Sequence, residues 1–241
     1  MPSMPNGAIT RLQFDTARDQ FMDRFLIDAN KLPKEPLQTF DFADLKALVD
    51  GISEPYRLVV VHYGLADDAL RYGFSFTFGT PIPNTDSYTY PEQKDPTHVL
   101  VGTQFTPITA AAWAPMRSAY RDTMWTKRDN GHFEQLTAVD ALRCVFPWEA
   151  ELLPLHDDNV GNGEYRMAVE SISRYHDAET GDGGASSLKG FRHEIGFYME
   201  ERVDGKWIRL LNNAVENAPY RNRAADYGNL CPVKCIIYTE V

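Results

Sequence analysis

Apolar and polar positions alternate most clearly between Phe191 and Leu211, where two such runs flank Asp204-Gly205. Asp-Gly in that setting predicts a two-residue type I′ hairpin, because both central residues must take φ > 0. The turn places Val203 opposite Lys206, Arg202 opposite Trp207, Glu200 opposite Arg209 and Met199 opposite Leu210. An ion pair, a cation–π contact (Arg202–Trp207) and an apolar contact follow, each worth roughly 0.2–1 kcal/mol. With a side-chain period of two, Phe191, His193, Ile195, Phe197, Met199 and Val203 share one face, which reads as core. Arg192, Glu194, Tyr198, Glu200 and Arg202 share the other, which reads as solvent-facing.

The remaining elements follow from the same patterning. Thr16 to Asn30 carries Ala17, Phe21, Met22, Phe25 and Leu26 at helical spacing, with Thr16 and Asp19 as its capping pattern. Asp41 caps a second helix over 42–50, with Asp44 at N3, Phe40 and Leu45 as a hydrophobic staple, and Gly51 at C′. Arg57–Tyr63 is continuously apolar, as a strand buried on both faces requires. Leu70–Phe78 alternates strictly and pairs antiparallel with it through a short Gly64–Asp68 link. His98–Phe105 reads as one strand. A Pro-rich loop occupies 79–97. Helices are predicted over Ala110–Arg128, interrupted or restarted at Pro115, and from Thr137 to Pro147 with Val139, Leu142, Val145 and Phe146 inward. Tyr165–Tyr175 and Val233–Thr239 read as strands, and 179–187 as a Gly/Asp/Ser loop. Strands toward both ends with helices between give one α+β domain over 1–241. Its sheet is mixed and mostly antiparallel, with helices from the N-terminal and middle thirds packed on it.

Composition narrows the function classes. The 241 residues are 43% hydrophobic and 24% charged, ordinary for a globular chain. No run of about 18 apolar residues is present, so no membrane span is expected. The N-terminal Met1-Pro-Ser-Met-Pro-Asn-Gly lacks the basic and apolar regions of a signal peptide, and three cysteines do not suggest a disulfide framework. A cytoplasmic setting is the expectation. The net charge is −10, and −7 of it falls between Glu149 and Asp182, where nine acids meet two bases. That field disfavours nucleic acid and anionic lipid and suits cations or a basic protein surface, while a solvated acidic face that keeps the protein soluble is the favoured reading.

Signatures of phosphate loops, dinucleotide folds, zinc proteases and serine hydrolases are absent. Cys231-Pro-Val-Lys-Cys235 offers two thiolates, with His193 as a third candidate ligand, but extended chain puts their Cα atoms roughly 13 Å apart. Two reduced structural cysteines are expected, and no metal or cofactor. The dipeptides His156-Asp157 and His176-Asp177 lack the further ligands of a metal phosphohydrolase, and the loops at Asp157 and Asp177 do not fit a calcium-loop pattern. His62 and His193 sit in strands. A Glu216–His193 pairing would arise only if the hairpin ladder ran past Asn212.

Tyr88 and Tyr90 in the Pro-rich loop, and Tyr220, Arg221, Arg223 and Tyr227 before the last strand, are the residue types that carry interface energy. The sequence therefore points to a non-enzymatic intracellular binding or assembly protein. It would present those Tyr/Arg loops and an acidic surface to a protein partner or to a second copy. The alternative is a metal-dependent hydrolase built from His62, His193 and loop carboxylates.

Overall fold

The computed structural model describes residues 8–28, 31–83, 88–91, 93–128, 130–136, 143–176, 190–213, 221–225, 229–231 and 238–240. After β1 (Ala8–Ile9), α1 runs over Arg11–Arg24, not from Thr16. Thr10 and Gln13 form a reciprocal capping box that satisfies two otherwise orphaned amides, and this sets the start. The chain leaves the helix at β2 (Phe25–Leu26), well short of Asn30. β3 (Leu37–Phe40) leads into α2 (Phe42–Val49), where the Asp41 carboxylate accepts from the Ala43 amide at 2.8 Å.

β4 (Arg57–Ala66) and β5 (Ala69–Phe78) form one long hairpin. Its turn is Asp67-Asp68, both at positive φ (53° and 62°), so the link is tighter than the predicted Gly64–Asp68. Short strands β6 (Thr80–Pro81) and β7 (Tyr88–Tyr90) lie within the Pro-rich stretch. The expected strand over His98–Phe105 is a hairpin, β8 (His98–Val101) and β9 (Gln104–Pro107), because Gly102 turns the chain at φ 62°. α3 (Ala110–Thr123) is capped by Thr109 and carries Pro115 without breaking.

β10 (Trp125–Lys127) and β11 (Phe133–Gln135) follow, then β12 (Arg143–Pro147). The last is a strand where a helix was expected; Thr137–Leu142 lie outside the described residues. All five β12 residues are buried, and the strand lies between β4 and a later strand, so ladder pairing and burial override the helical pattern. A π-helical turn (Trp148–Leu152) continues into α4 (Leu153–Asp157). The remaining strands are β13 (Tyr165–His176), β14 (Gly190–Val203), β15 (Lys206–Arg209), β16 (Ala224–Ala225), β17 (Asn229–Cys231) and β18 (Tyr238–Glu240). The 179–187 loop and residues 233–237 of the predicted last strand lie outside the described residues.

The fold is α+β, with mostly antiparallel sheets. One six-stranded sheet has the order β17-β12-β4-β5-β8-β9; the other has β1-β16-β14-β13-β3, with β15 added to β14. Their facing residues form the main core. Phe146 meets Phe197 edge-on at 4.8 Å, and the Tyr72 hydroxyl lies 2.6 Å from Ser171 Oγ. α3 covers the far face of the first sheet, where Trp113 lies so close to Gly64 that a Cβ there would stand 2.6 Å from the indole. α1 covers the far face of the second through Phe14, which packs on Gly196 and Tyr198. β2, β10 and β11 form a small third sheet, and β6, β7 and β18 a fourth, in which the β7–β18 pairing is parallel. Among the described residues, no helix is long and apolar enough to cross a membrane.

The hairpin register is the predicted one, with Asp204 and Gly205 at φ 49° and 77°. The solvent-facing assignment is not. Arg192, Glu194, Tyr198 and Glu200 are buried, because α1 and neighbouring strand residues cover that face. Partners differ accordingly: Glu200 binds Arg166 at 2.6 Å, and Arg209 reaches Asp15 of α1 at 3.3 Å. The guanidinium over Trp207 belongs to Arg166, at 4.3 Å, not to Arg202.

Candidate functional site

His193 and His62 do not share a site. His193 projects between the two sheets, where its ring stacks on Tyr63 with centroids 4.1 Å apart. Its Nδ1 lies 2.6 Å from the Tyr120 hydroxyl and its Nε2 2.8 Å from Ser171 Oγ. Ser171 Oγ lies 2.6 Å from the Tyr72 hydroxyl, which in turn reaches the Pro36 carbonyl at 2.5 Å. That carbonyl only accepts, so the direction of the whole chain follows from it. Tyr72 donates to Pro36, Ser171 to Tyr72, His193 Nε2–H to Ser171, and Tyr120 to Nδ1. Burial pushes His193 down to about 3, consistent with this neutral tautomer. The relay is a closed core network whose donors and acceptors are matched within the chain.

His62 lies on the other face of its strand, against Ser75 Oγ at 2.8 Å. Burial holds it well below the ordinary histidine range, and Arg143 and Arg117 push it further the same way. Cys144 is buried with its Sγ 2.6 Å from the Tyr63 hydroxyl. Cys231 stands opposite Arg143 in the ladder; Cys235 and Glu216 lie outside the described residues. Among the described residues, no three His, Cys, Asp or Glu side chains are grouped so as to hold a metal ion.

The predicted Tyr/Arg binding residues are dispersed. Tyr90 is fully buried, a correction to its placement on an accessible loop; β7 pairs on both sides and takes this ring inward. Tyr88 begins the same strand, opposite Pro81. Arg221 is exposed and Arg223 half-buried. Tyr220 and Tyr227 lie outside the described residues. The 221–225 segment is held by Asn222, whose amide donates to Asn159 Oδ1 at 2.7 Å and whose carbonyl accepts from Asn212 at 2.8 Å.

Asn159 directly precedes Val160, which lines a groove of about 340 Å³ between the start of α2 and α4. Phe42, Leu153, Val160 and Met199 supply its apolar wall, and Asp41, Lys46, His156 and Asp157 its polar rim. Three rings form a ladder beneath it: Trp148 on Phe42 at 5.2 Å and 8°, then Phe42 on His156 at 3.8 Å and 13°. The Asp157 carboxylate lies 2.8 Å from His156 Nδ1, whose N–H donates to it. Its Nε2 makes no hydrogen bond among the described residues. Lys46 is ion-paired with Asp50, and the Asp41 carboxylate caps α2.

Glu151 sits in the π-helical turn that joins Trp148 to Leu153. It is buried, its Oε2 has no hydrogen-bond partner among the described residues, and burial raises it to about 8. Sequence reasoning weighed His156-Asp157 as possible metal ligands and passed over Phe42, Val160 and Met199 as groove residues. The groove draws on segments near 41–46, 153–165 and 199, so no local pattern marks it. The one local signal was the strong cap at Asp41, which fixes how Phe42 leaves the helix start.

No protein-family model, curated protein or solved structure matches the chain.

Proposed function

We propose that this chain is a non-enzymatic binding module that docks a protein partner, or a second copy of itself, in the groove between α2 and α4. The observation that carries this is the groove's lining: an apolar wall in which Val160 is exposed over the buried Phe42 and Met199, and a rim whose charged groups already cap, pair or orient one another. Such a lining favours burial of an incoming side chain over group transfer. The buried histidines support the same side, since each is desolvated and hydrogen-bonded in place. A metal-dependent hydrolase would need them to converge, whereas His62 points away from the space between the sheets and His193 into it. Arg221 keeps part of the Tyr/Arg surface in play, because Asn222 ties its segment to Asn159, the residue before the groove's Val160.

Selection of displayed random peptides against the immobilised protein tests the proposal, with the Val160→Asp variant as counter-target. Val160 is 37% exposed, so the variant should fold. Enriched peptides should lose about tenfold or more in affinity on V160D. A selection that yields only peptides indifferent to this change overturns the reading.

A further inference from the structure

Asparagine followed by glycine occurs three times in the chain, at Asn6-Gly7, Asn130-Gly131 and Asn162-Gly163. The first lies outside the described residues. The other two share a chemistry and differ in how they are held. In the turn between β10 and β11, Asn130 Oδ1 accepts from the His132 amide at 3.1 Å, and the Gly131 amide donates to the Arg128 carbonyl at 2.9 Å. The asparagine side chain and the glycine nitrogen are thus engaged in separate bonds.

The loop from α4 to β13 is fastened at its ends. The Val160 amide donates to the His156 carbonyl at 3.0 Å, and the Glu164 carbonyl and carboxylate both accept from Arg202 at 2.9 Å. Between those anchors Gly161, Asn162 and Gly163 are all exposed. Neither the Asn162 side chain nor the Gly163 amide has a hydrogen-bond partner among the described residues. Glycine on each side lets the main chain sample the approach of this side chain to the next nitrogen, which no Cβ of its own residue shields.

We infer that Asn162 is a site of self-catalysed deamidation, a covalent modification whose only co-reactant is water. The Gly163 backbone nitrogen loses its proton to solvent base and attacks Asn162 Cγ. The N–Cγ bond forms, the Cγ–Nδ2 bond breaks, and Nδ2 takes up a proton and leaves as ammonia. Water then opens the cyclic imide at either carbonyl. One opening gives aspartate; the other gives isoaspartate, in which the main chain runs through the former side chain. Either product sets a new carboxylate close to Glu164. Isoaspartate also lengthens the main chain by a methylene between Val160 and Tyr165, both of which line the groove. The reaction depends on the loop alone, whether or not the groove docks a partner.

Incubation of the full chain in mildly alkaline buffer, followed by tryptic mapping with mass spectrometry, tests this. Trypsin places Asn162 in residues 144–166 and Asn130 in 129–143, and fragment ions separate Asn162 from Asn159. In the native protein Asn162 should convert to acid about tenfold or more faster than Asn130, where both hydrogen bonds must open first. The products should be aspartate and isoaspartate together, and the rate should rise with pH because the attacking nitrogen must shed its proton. In denaturant the gap between the two sites should largely close. Gly163→Ala should slow the reaction; its new Cβ first meets the movable end of Glu201, at 2.8 Å, so the variant should fold. Equal native rates at the two sites, or no product at Asn162, overturn the inference. Aspartate without isoaspartate, or a rate unchanged by Gly163→Ala, also overturns it, because water would then be cutting the amide without help from the Gly163 nitrogen.

Discussion

Phe42 and His156 lie face to face, ring centroids 3.8 Å apart and planes within 13° of parallel, with Trp148 on Phe42 in turn at 5.2 Å. One end of this ladder is fully buried and the other lines the groove, so Phe42 couples core packing to the site. Phe42→Ala should destabilise the protein by about 3 kcal/mol and move the His156 ring resonances, while Phe42→Leu should do less of both. Denaturant unfolding and imidazole NMR read the two effects separately.

Glu151 makes stability depend on pH. Its native value is raised by burial from an ordinary 4.5 to about 8. Between those values the native state keeps a proton that the unfolded chain has released. The contribution is therefore at its full value below about pH 4.5, falls at up to about 1.4 kcal/mol per pH unit, and is gone above about pH 8. Glu151→Gln should flatten that window. A variant whose unfolding midpoint keeps the wild-type slope across it would contradict the burial of this carboxyl.

His193 acts in the acid range with the opposite sense. Its native value is lowered from 6.5 to about 3, so as pH falls through that window the unfolded chain gains a proton that the native state refuses. Stability should drop accordingly, and His62, also held low by burial, adds to the fall. Tyr120→Phe removes the donor to Nδ1 and should cost about 1–3 kcal/mol by leaving a buried nitrogen unpaired. Long-range 1H–15N spectra of the wild type should show the Nε2–H tautomer.

Gly196→Ala should cost about 1–3 kcal/mol, because the new Cβ would stand 2.4 Å from Cε2 of the buried Phe14 ring. Adding Phe14→Leu should recover part of the loss. Full additivity of the two changes in thermal unfolding would mean that α1 does not rest on this glycine.

The sequence made the hairpin register legible because Asp204-Gly205 and a period of two are local signals, and both hold in the structure. The wetness of Glu194 and Glu200 was not legible. An alternating charged face looks the same whether water or a helix covers it, and Arg174 and Arg166 supply the partners that make burial tolerable. Thr10 and Gln13 were an available capping signal for α1 that the stronger apolar stripe further on obscured. β12 shows a different limit: a short apolar run such as Cys144-Val145-Phe146 fits helix or strand alike, and only pairing with β4 decides between them. The groove was invisible for a third reason. Its walls meet only after the sheets have stacked, so Phe42, Val160 and Met199 carry no shared pattern along the chain.

The hydrogen-bonded chain from Tyr120 through His193, Ser171 and Tyr72 to Pro36 runs from α3 across both large sheets. Two apolar faces alone can slide past one another with little penalty. Here a slip by one residue pair, about 7 Å, would strand each of these hydroxyls and the imidazole in hydrocarbon without a partner. The relay works as a key: it admits one alignment of the two sheets, and with it one spacing between α2, α4 and the β14 face on which the groove depends.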